Sequence, residues 1–318
     1  MSSSTSNSKL TKWQAWSFPL VIAVVLYGSL RLLEAVYQRP NWATMAAESL
    51  GDKTEVLAIG SSRIFFGIDP RVMRRPTSNL AVNYLDAQSM RQLWSQYAAR
   101  LPNVTTVIAE LCVVNLKFET LKINPAGLKD LGLNITPGPV DFVTDFDAAV
   151  RRLLLPVFLW RLTPEFYRET MHSAADNLEP TAAVAGYVPS LVRMAYAEDF
   201  AKRRVVYFQD KMRAFSNDVV AENIKAYRNL IASLNAEGKR VVLVRFPIYQ
   251  PVYQLFPADW EAAIGQAVLE LRRDPGLKFE FWDEHAYAGA SAEDFRDPEH
   301  LNAAGAVKFT KFISDRLN

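Results

Sequence analysis

The segment Glu55–Pro70, EVLAIGSSRIFFGIDP, decides how the rest of the chain is read. Val56, Leu57, Ala58 and Ile59 are apolar at successive positions, so an extended backbone here presents apolar groups on both faces. A strand that must hide both faces is a central strand of a parallel sheet with helices above and below it. The run then breaks into Gly60, Ser61 and Ser62. In doubly wound sheets, ligands and chemistry gather outside the carboxyl ends of the strands. Two hydroxyls at that place mark a candidate site.

The same pattern continues outward. Strand-like runs lie at Glu55–Ile59, Asn79–Tyr84, Thr105–Leu111, Arg240–Phe246 and Lys278–Asp283, and helix-like runs at Ala87–Arg100, Asn217–Gly238 and Ala258–Asp274. In the second of these helices Val220, Ile224, Tyr227, Ile231 and Leu234 recur at helical spacing, and Gly238 stops it. Alternating strands and helices predict an α/β fold, a three-layer sandwich around a central parallel sheet. From about 117 to 215 the alternation lapses into turn clusters, NPAG and TPGP, and then mainly helical patterns. We read this stretch as a helical insertion over the strand ends, where long connections commonly serve function. Its basic run, Lys202, Arg203 and Arg204, reads either as a solvated helix face or as a surface for anionic lipid or an acidic polymer.

Composition narrows the classes. With 318 residues, half of them hydrophobic, the chain can bury a large core and is not disordered. Lys and Arg number 36 against 34 Asp and Glu, and that balance gives no ground for a nucleic-acid partner. The single cysteine, Cys112, lies between Leu111 and Val113; it excludes a disulfide framework and a cysteine metal site and reads as buried packing.

The first twelve residues are polar and carry Lys9 and Lys12, and Trp13–Leu33 supplies the roughly twenty mostly apolar residues that span a bilayer, with Arg31 snorkelling at the far end. No small-residue cleavage site follows in RLLEAVYQRP, so the segment reads as an uncleaved anchor. The expected organisation is a tail and transmembrane anchor over 1–37 and an α/β domain over 38–318. The lysines place the N-terminus in the cytoplasm and the domain outside, against the pull of Arg31 and Arg39 on the other flank. The expectation is a single-pass protein of the cytoplasmic membrane with an extracytoplasmic domain.

A serine becomes a nucleophile only beside a base that is itself oriented by a third group. The chain has three histidines. His172, in RETMHSAAD, has no motif around it; His285, in WDEHAYAG, follows a strand; His300 stands in FRDPEHLNAAG with Asp297 three residues before it. In a tight turn that spacing aims the carboxylate at one imidazole nitrogen and leaves the other for a serine. Each motif also has a plain reading as a helix cap: Ser61 or Ser62 in the first, Asp297 or Asn302 with Pro298 in the second. Arg63 is a candidate for binding a substrate carboxylate or phosphate, or for pairing with Asp69 or Asp86.

AIGSSR at the end of the first strand, taken with DPEHLNAAG before the terminal helix, resembles the SGNH (GDSL-like) hydrolase superfamily, and within it the membrane-anchored DltD-type proteins, where Gly-Ser-Ser replaces Gly-Asp-Ser. The resemblance covers the element order of the chain after the anchor; its specific residues lie at the two ends. It implies a flavodoxin-like sandwich, Ser62 as nucleophile, and Asp297 and His300 as acid and base. The family takes further oxyanion donors from a Gly after the second strand and an Asn after the third. Here the second strand has no Gly, which leaves a backbone N–H near Asn83 beside that of Ser62, and the third offers Asn115 a little late. The resemblance further implies acyl transfer to or from a cell-envelope polymer, a polytopic membrane acyltransferase as partner, and no metal or diffusible cofactor. The same triad would serve plain ester hydrolysis, and the same fold would serve a catalytically silent scaffold that binds polymer or the acyltransferase.

Overall fold

The computed structural model describes residues 51–81, 83–120 and 217–318, with Tyr27, Lys202, Arg203, Val205, Val206 and Gln209 as isolated positions besides. Apart from Tyr27, the apolar segment 13–33 lies outside the described residues, as do His172 and most of the expected insertion. Among those described, no helix is long and apolar enough to cross a membrane.

Five strands form one parallel sheet: β1 (Val56–Gly60), β2 (Thr77–Ala81), β3 (Thr106–Glu110), β4 (Arg240–Arg245) and β5 (Glu280–Asp283), in the order β2-β1-β3-β4-β5. The central strands are buried along their length because their side chains alternate between two apolar layers. Leu57, Ile59, Val107, Ala109, Val241 and Leu243 enter one layer; Val56, Ala58, Ile108, Val242 and Val244 enter the other. The helices divide accordingly. Three helices pack on the first layer. They are α2 (Ala87–Tyr97) through Met90, Leu93 and Trp94, α4 (Asn217–Ala236) through Ile224, Tyr227, Leu230 and Leu234, and α6 (Ala258–Arg272) through Trp260, Ile264 and Leu271. The short α1 (Ser62–Gly67) and the terminal α7 (Ala303–Leu317) cover the second with Ile64, Phe309 and Ile313. Two further short helices, α3 (Val113–Lys117) and α5 (Gln250–Tyr253), follow β3 and β4.

The second strand lies earlier than its apolar run suggests, ending at Ala81 rather than near Tyr84. Tyr84 has φ 63°, a left-handed turn conformation that no strand accommodates. The buried Asn79 amide meanwhile donates to the Ile64 and Ile68 carbonyls, tying β2 to α1.

Chain order fixes where chemistry can sit. The connection from β1 leads to β2 on one side, and β3 then lies on the other side of β1, so the carboxyl ends of β1 and β3 flank the crevice where the winding direction reverses. Gly60-Ser61-Ser62 and Glu110-Leu111-Cys112 occupy those two ends.

Candidate active site

Ser62 is the first residue of α1, held half-exposed while Ser61 and Arg63 on either side are buried. The turn into α1 works because of Gly60. A Cβ there would stand 2.6 Å from the Cβ of Glu110 and 2.9 Å from its Oε2, so only glycine lets β1 and β3 approach this closely. The gap is used: Glu110 Oε2 accepts the Ser61 backbone N–H at 2.6 Å.

The opposing element is a two-stranded antiparallel hairpin, β6 (Phe295–Asp297) and β7 (His300–Leu301), in which Asp297 and His300 are direct cross-strand partners around the two-residue turn Pro298-Glu299. That pairing puts carboxylate and imidazole on one side of the ribbon. His300 Nδ1 is 2.7 and 2.8 Å from the two Asp297 oxygens, and Asp297 Oδ1 also accepts the backbone N–H groups of Glu299 and His300. His300 Nε2 lies 2.7 Å from Ser62 Oγ. With an acceptor on the Nδ1 side, Nδ1 carries the proton and donates to Asp297, and Nε2 accepts from the Ser62 hydroxyl. Phe66 packs against the imidazole in a T-shaped contact at a ring distance of 5.5 Å, and Arg296 lies over Phe66 and 3.6 Å from Asp297.

The hairpin is bolted to the helix behind it by Asn302. Its Oδ1 caps α7 by accepting from Ala304 and Gly305, and its Nδ2 donates to the Glu293 and Phe295 carbonyls.

Ser62, Asp297 and His300 are therefore brought together, in the order of contacts expected of a nucleophile, base and orienting acid. Other expectations are corrected. Arg63 does not face a substrate: its side chain is 4% exposed and points into the protein, with Nη2 2.7 Å from Glu299 Oε1 and Nη1 3.5 Å from Glu110 Oε1 and 2.9 Å from Cys112 Sγ. Neither Asp69 nor Asp86 is its partner; Asp69 pairs with Arg71, and Asp86 caps α2 and accepts from Thr120. Burial works against the Arg63 charge, but the carboxylates Glu299 and Glu110 beside it prevail and hold its pKa above the ordinary guanidinium value. Burial, with Glu110 nearby, pushes the Cys112 thiol up, so it is neutral and inert.

Asn115 is likewise a scaffold residue. It has no exposed surface; Oδ1 accepts from the Cys112 backbone N–H and Nδ2 donates to the Leu85 carbonyl. Both ends of its amide are thus engaged within the protein at the start of α3. Asn83 is exposed in the turn after β2. His285 is held by its own carboxylate, Nδ1 to Asp283 Oδ1 at 2.7 Å, and packs on Tyr253. Of the basic run, Lys202 and Arg203 are helical and exposed.

Glu299, buried beside Arg63, carries no signal in the sequence. A glutamate in a Pro-containing turn looks solvated, and no local pattern marks it as buried. Glu110 had a signal, a charge closing the otherwise apolar strand TVIAE. Among the described residues, no group of three or more His, Cys, Asp or Glu is placed to hold a metal ion.

No family model and no curated protein matches the chain. Among solved structures, one from Streptococcus pneumonia, provisionally described as a platelet activating factor, is similar at 13% sequence identity and a TM-score of 0.43, over 94% of this chain and 99% of that one. A likeness this loose bears on neither activity nor substrate.

Proposed function

We propose that this protein is a serine acyl-esterase or acyltransferase of the SGNH type. The observation that carries the reading is the relay Ser62 Oγ–His300 Nε2 at 2.7 Å and His300 Nδ1–Asp297 at 2.7 Å, at the carboxyl end of the sheet's first strand. His300 takes the proton from Ser62 as Oγ attacks the acyl carbon of an ester or thioester. Asp297 holds the imidazole in the competent tautomer and stabilises the imidazolium. The oxyanion is met by the Ser62 backbone N–H, which in the first turn of α1 has no intrahelical acceptor, and by a backbone N–H near Asn83. Collapse of the tetrahedral species expels the alcohol or thiol with the proton from His300 and leaves an acyl-Ser62. Water or a sugar hydroxyl, deprotonated by His300, then takes the acyl group.

The resemblance of the motifs supplies the rest of the proposal: an N-terminal membrane anchor at 13–33, an extracytoplasmic catalytic domain, a cell-envelope polymer as donor or acceptor, and a polytopic acyltransferase as partner. The test is incubation of the full-length, detergent-solubilised chain with a serine-reactive fluorophosphonate, followed by intact mass and peptide mapping. One adduct on Ser62, absent in His300→Ala, is the expected result. Folded protein that takes no adduct would overturn the enzyme reading and leave the silent scaffold.

A further inference from the structure

Two bonds between the same two segments run side by side. Ser62 reaches His300, and Arg63, the next residue, reaches Glu299, the residue before His300; both contacts are 2.7 Å, across sequence separations of 238 and 236. The second bond is deeper. Arg63 and Glu299 are 4% and 3% exposed, and Glu110, on the other side of the guanidinium, is fully buried. The links close on themselves: Glu299 to Arg63, Arg63 to Glu110, and Glu110 to the Ser61 N–H immediately before the nucleophile.

We propose that Arg63 is a positioning residue, a buried clamp that sets the Ser62–His300 separation by fixing the base-bearing turn to the ends of β1 and β3. This rests on the reading of Ser62 as nucleophile and names the device that aligns it. Stability alone is a poor reason for such a cluster, because desolvating charges costs about as much as their attraction returns, and apolar residues of equal volume often do as well. Register is a better reason. The hairpin is short, β7 has two residues, and its own sheet bonds cannot fix its distance from β1. A misplacement of about 1 Å between reacting groups costs on the order of a hundredfold in rate. Arg63 suits the task because its planar fork bonds in two directions at once, toward Glu299 with one amino group and toward Glu110 and Cys112 with the other.

The experiment measures the second-order rate of fluorophosphonate addition to Ser62 in full-length protein, normalised to the folded fraction, together with the low-field proton resonance of the His300 Nδ1–H. Glu299→Gln keeps the volume of the turn and weakens the clamp. It is expected to slow adduct formation about 10- to 100-fold per folded molecule, while the Nδ1–H resonance persists because Asp297 and His300 pair within the hairpin. Should that variant fold poorly, Arg63→Met with Glu110→Gln and Glu299→Met removes the charges together, and the same slowing is expected in a protein at least as stable. A merely structural role would lower stability and leave the normalised rate unchanged, and that result in either variant overturns the proposal. Absence of any adduct on wild-type protein would remove the nucleophile reading itself, whereas wild-type labelling with an unaltered variant rate would remove only the clamp.

Discussion

Gly60 and Glu110 lie so close that a methyl group on the glycine would meet the glutamate Cβ at 2.6 Å. Neither neighbour can yield cheaply, because Glu110 is fully buried and bonded to Ser61 and Arg63. Gly60→Ala is expected to destabilise the protein by about 3 kcal/mol through overpacking. Urea denaturation followed by tryptophan fluorescence measures it; a change under about 0.5 kcal/mol would mean that β1 and β3 can separate there.

Asp297→Asn separates orientation from folding. An amide can still accept from the backbone N–H groups of Glu299 and His300, so the turn should persist. Its NH2, turned to Nδ1, forces the imidazole proton onto Nε2, which then no longer accepts from Ser62. Adduct formation on Ser62 should fall by about 10³- to 10⁴-fold with little loss of stability. Near wild-type reactivity would show that Asp297 is not the orienting acid.

Asn302 joins a helix cap to two tertiary bonds through one side chain. Asn302→Ala should cost about 2–4 kcal/mol, the sum of a lost cap and two lost side-chain bonds to the Glu293 and Phe295 carbonyls. Asn302→Asp keeps the cap and loses the two donated bonds, so it should fall between wild type and alanine in thermal denaturation. Equal melting of the two variants would assign the whole effect to the tertiary bonds.

The pH dependence of stability should carry the signature of Asp294. Burial works against its charge, but Lys308 and the N–H and O–H of Ser291 outweigh it and hold its pKa below the usual carboxylate range. As pH falls, the unfolded chain takes this proton first. The contribution is thus fully present above the unfolded value, near 4, and is lost as pH drops through the lower folded value. Lys308 is half-exposed, so Lys308→Met should cost about 1 kcal/mol near neutrality, and the gap from wild type should close below about pH 4. A gap that does not change with pH would exclude this pair as its source.

What could be read from the sequence was whatever local chemistry encodes. Val56–Ile59 is apolar on both faces because both are covered, and Asp297-Pro-Glu-His300 carries its geometry in its spacing because the turn has two residues. The end of β2 was misplaced because Val82 and Tyr84 continue the apolar run, whereas the Tyr84 backbone has already turned. The fate of Arg63 was illegible for a different reason. Its partner Glu299 is 236 positions away, and a charge beside a motif looks the same in sequence whether it faces a ligand or a buried carboxylate. The surroundings of Asn115 are illegible for a similar reason, since its bonds to Cys112 and Leu85 depend on how β3 and the β2–α2 turn come together.

The 238 positions between Ser62 and His300 also have a meaning in time. A ribosome adding 5–20 residues per second delivers the serine roughly ten to fifty seconds before the histidine. Under the proposed function, Ser62 is an ordinary alcohol without its base through that interval, and no fragment ending short of the hairpin can activate it. Reactivity would then come late in the making of the polypeptide. A covalent label on Ser62 would therefore count finished molecules, and the same reagent that tests the chemistry would serve inside cells as a reporter of how much of the chain has matured.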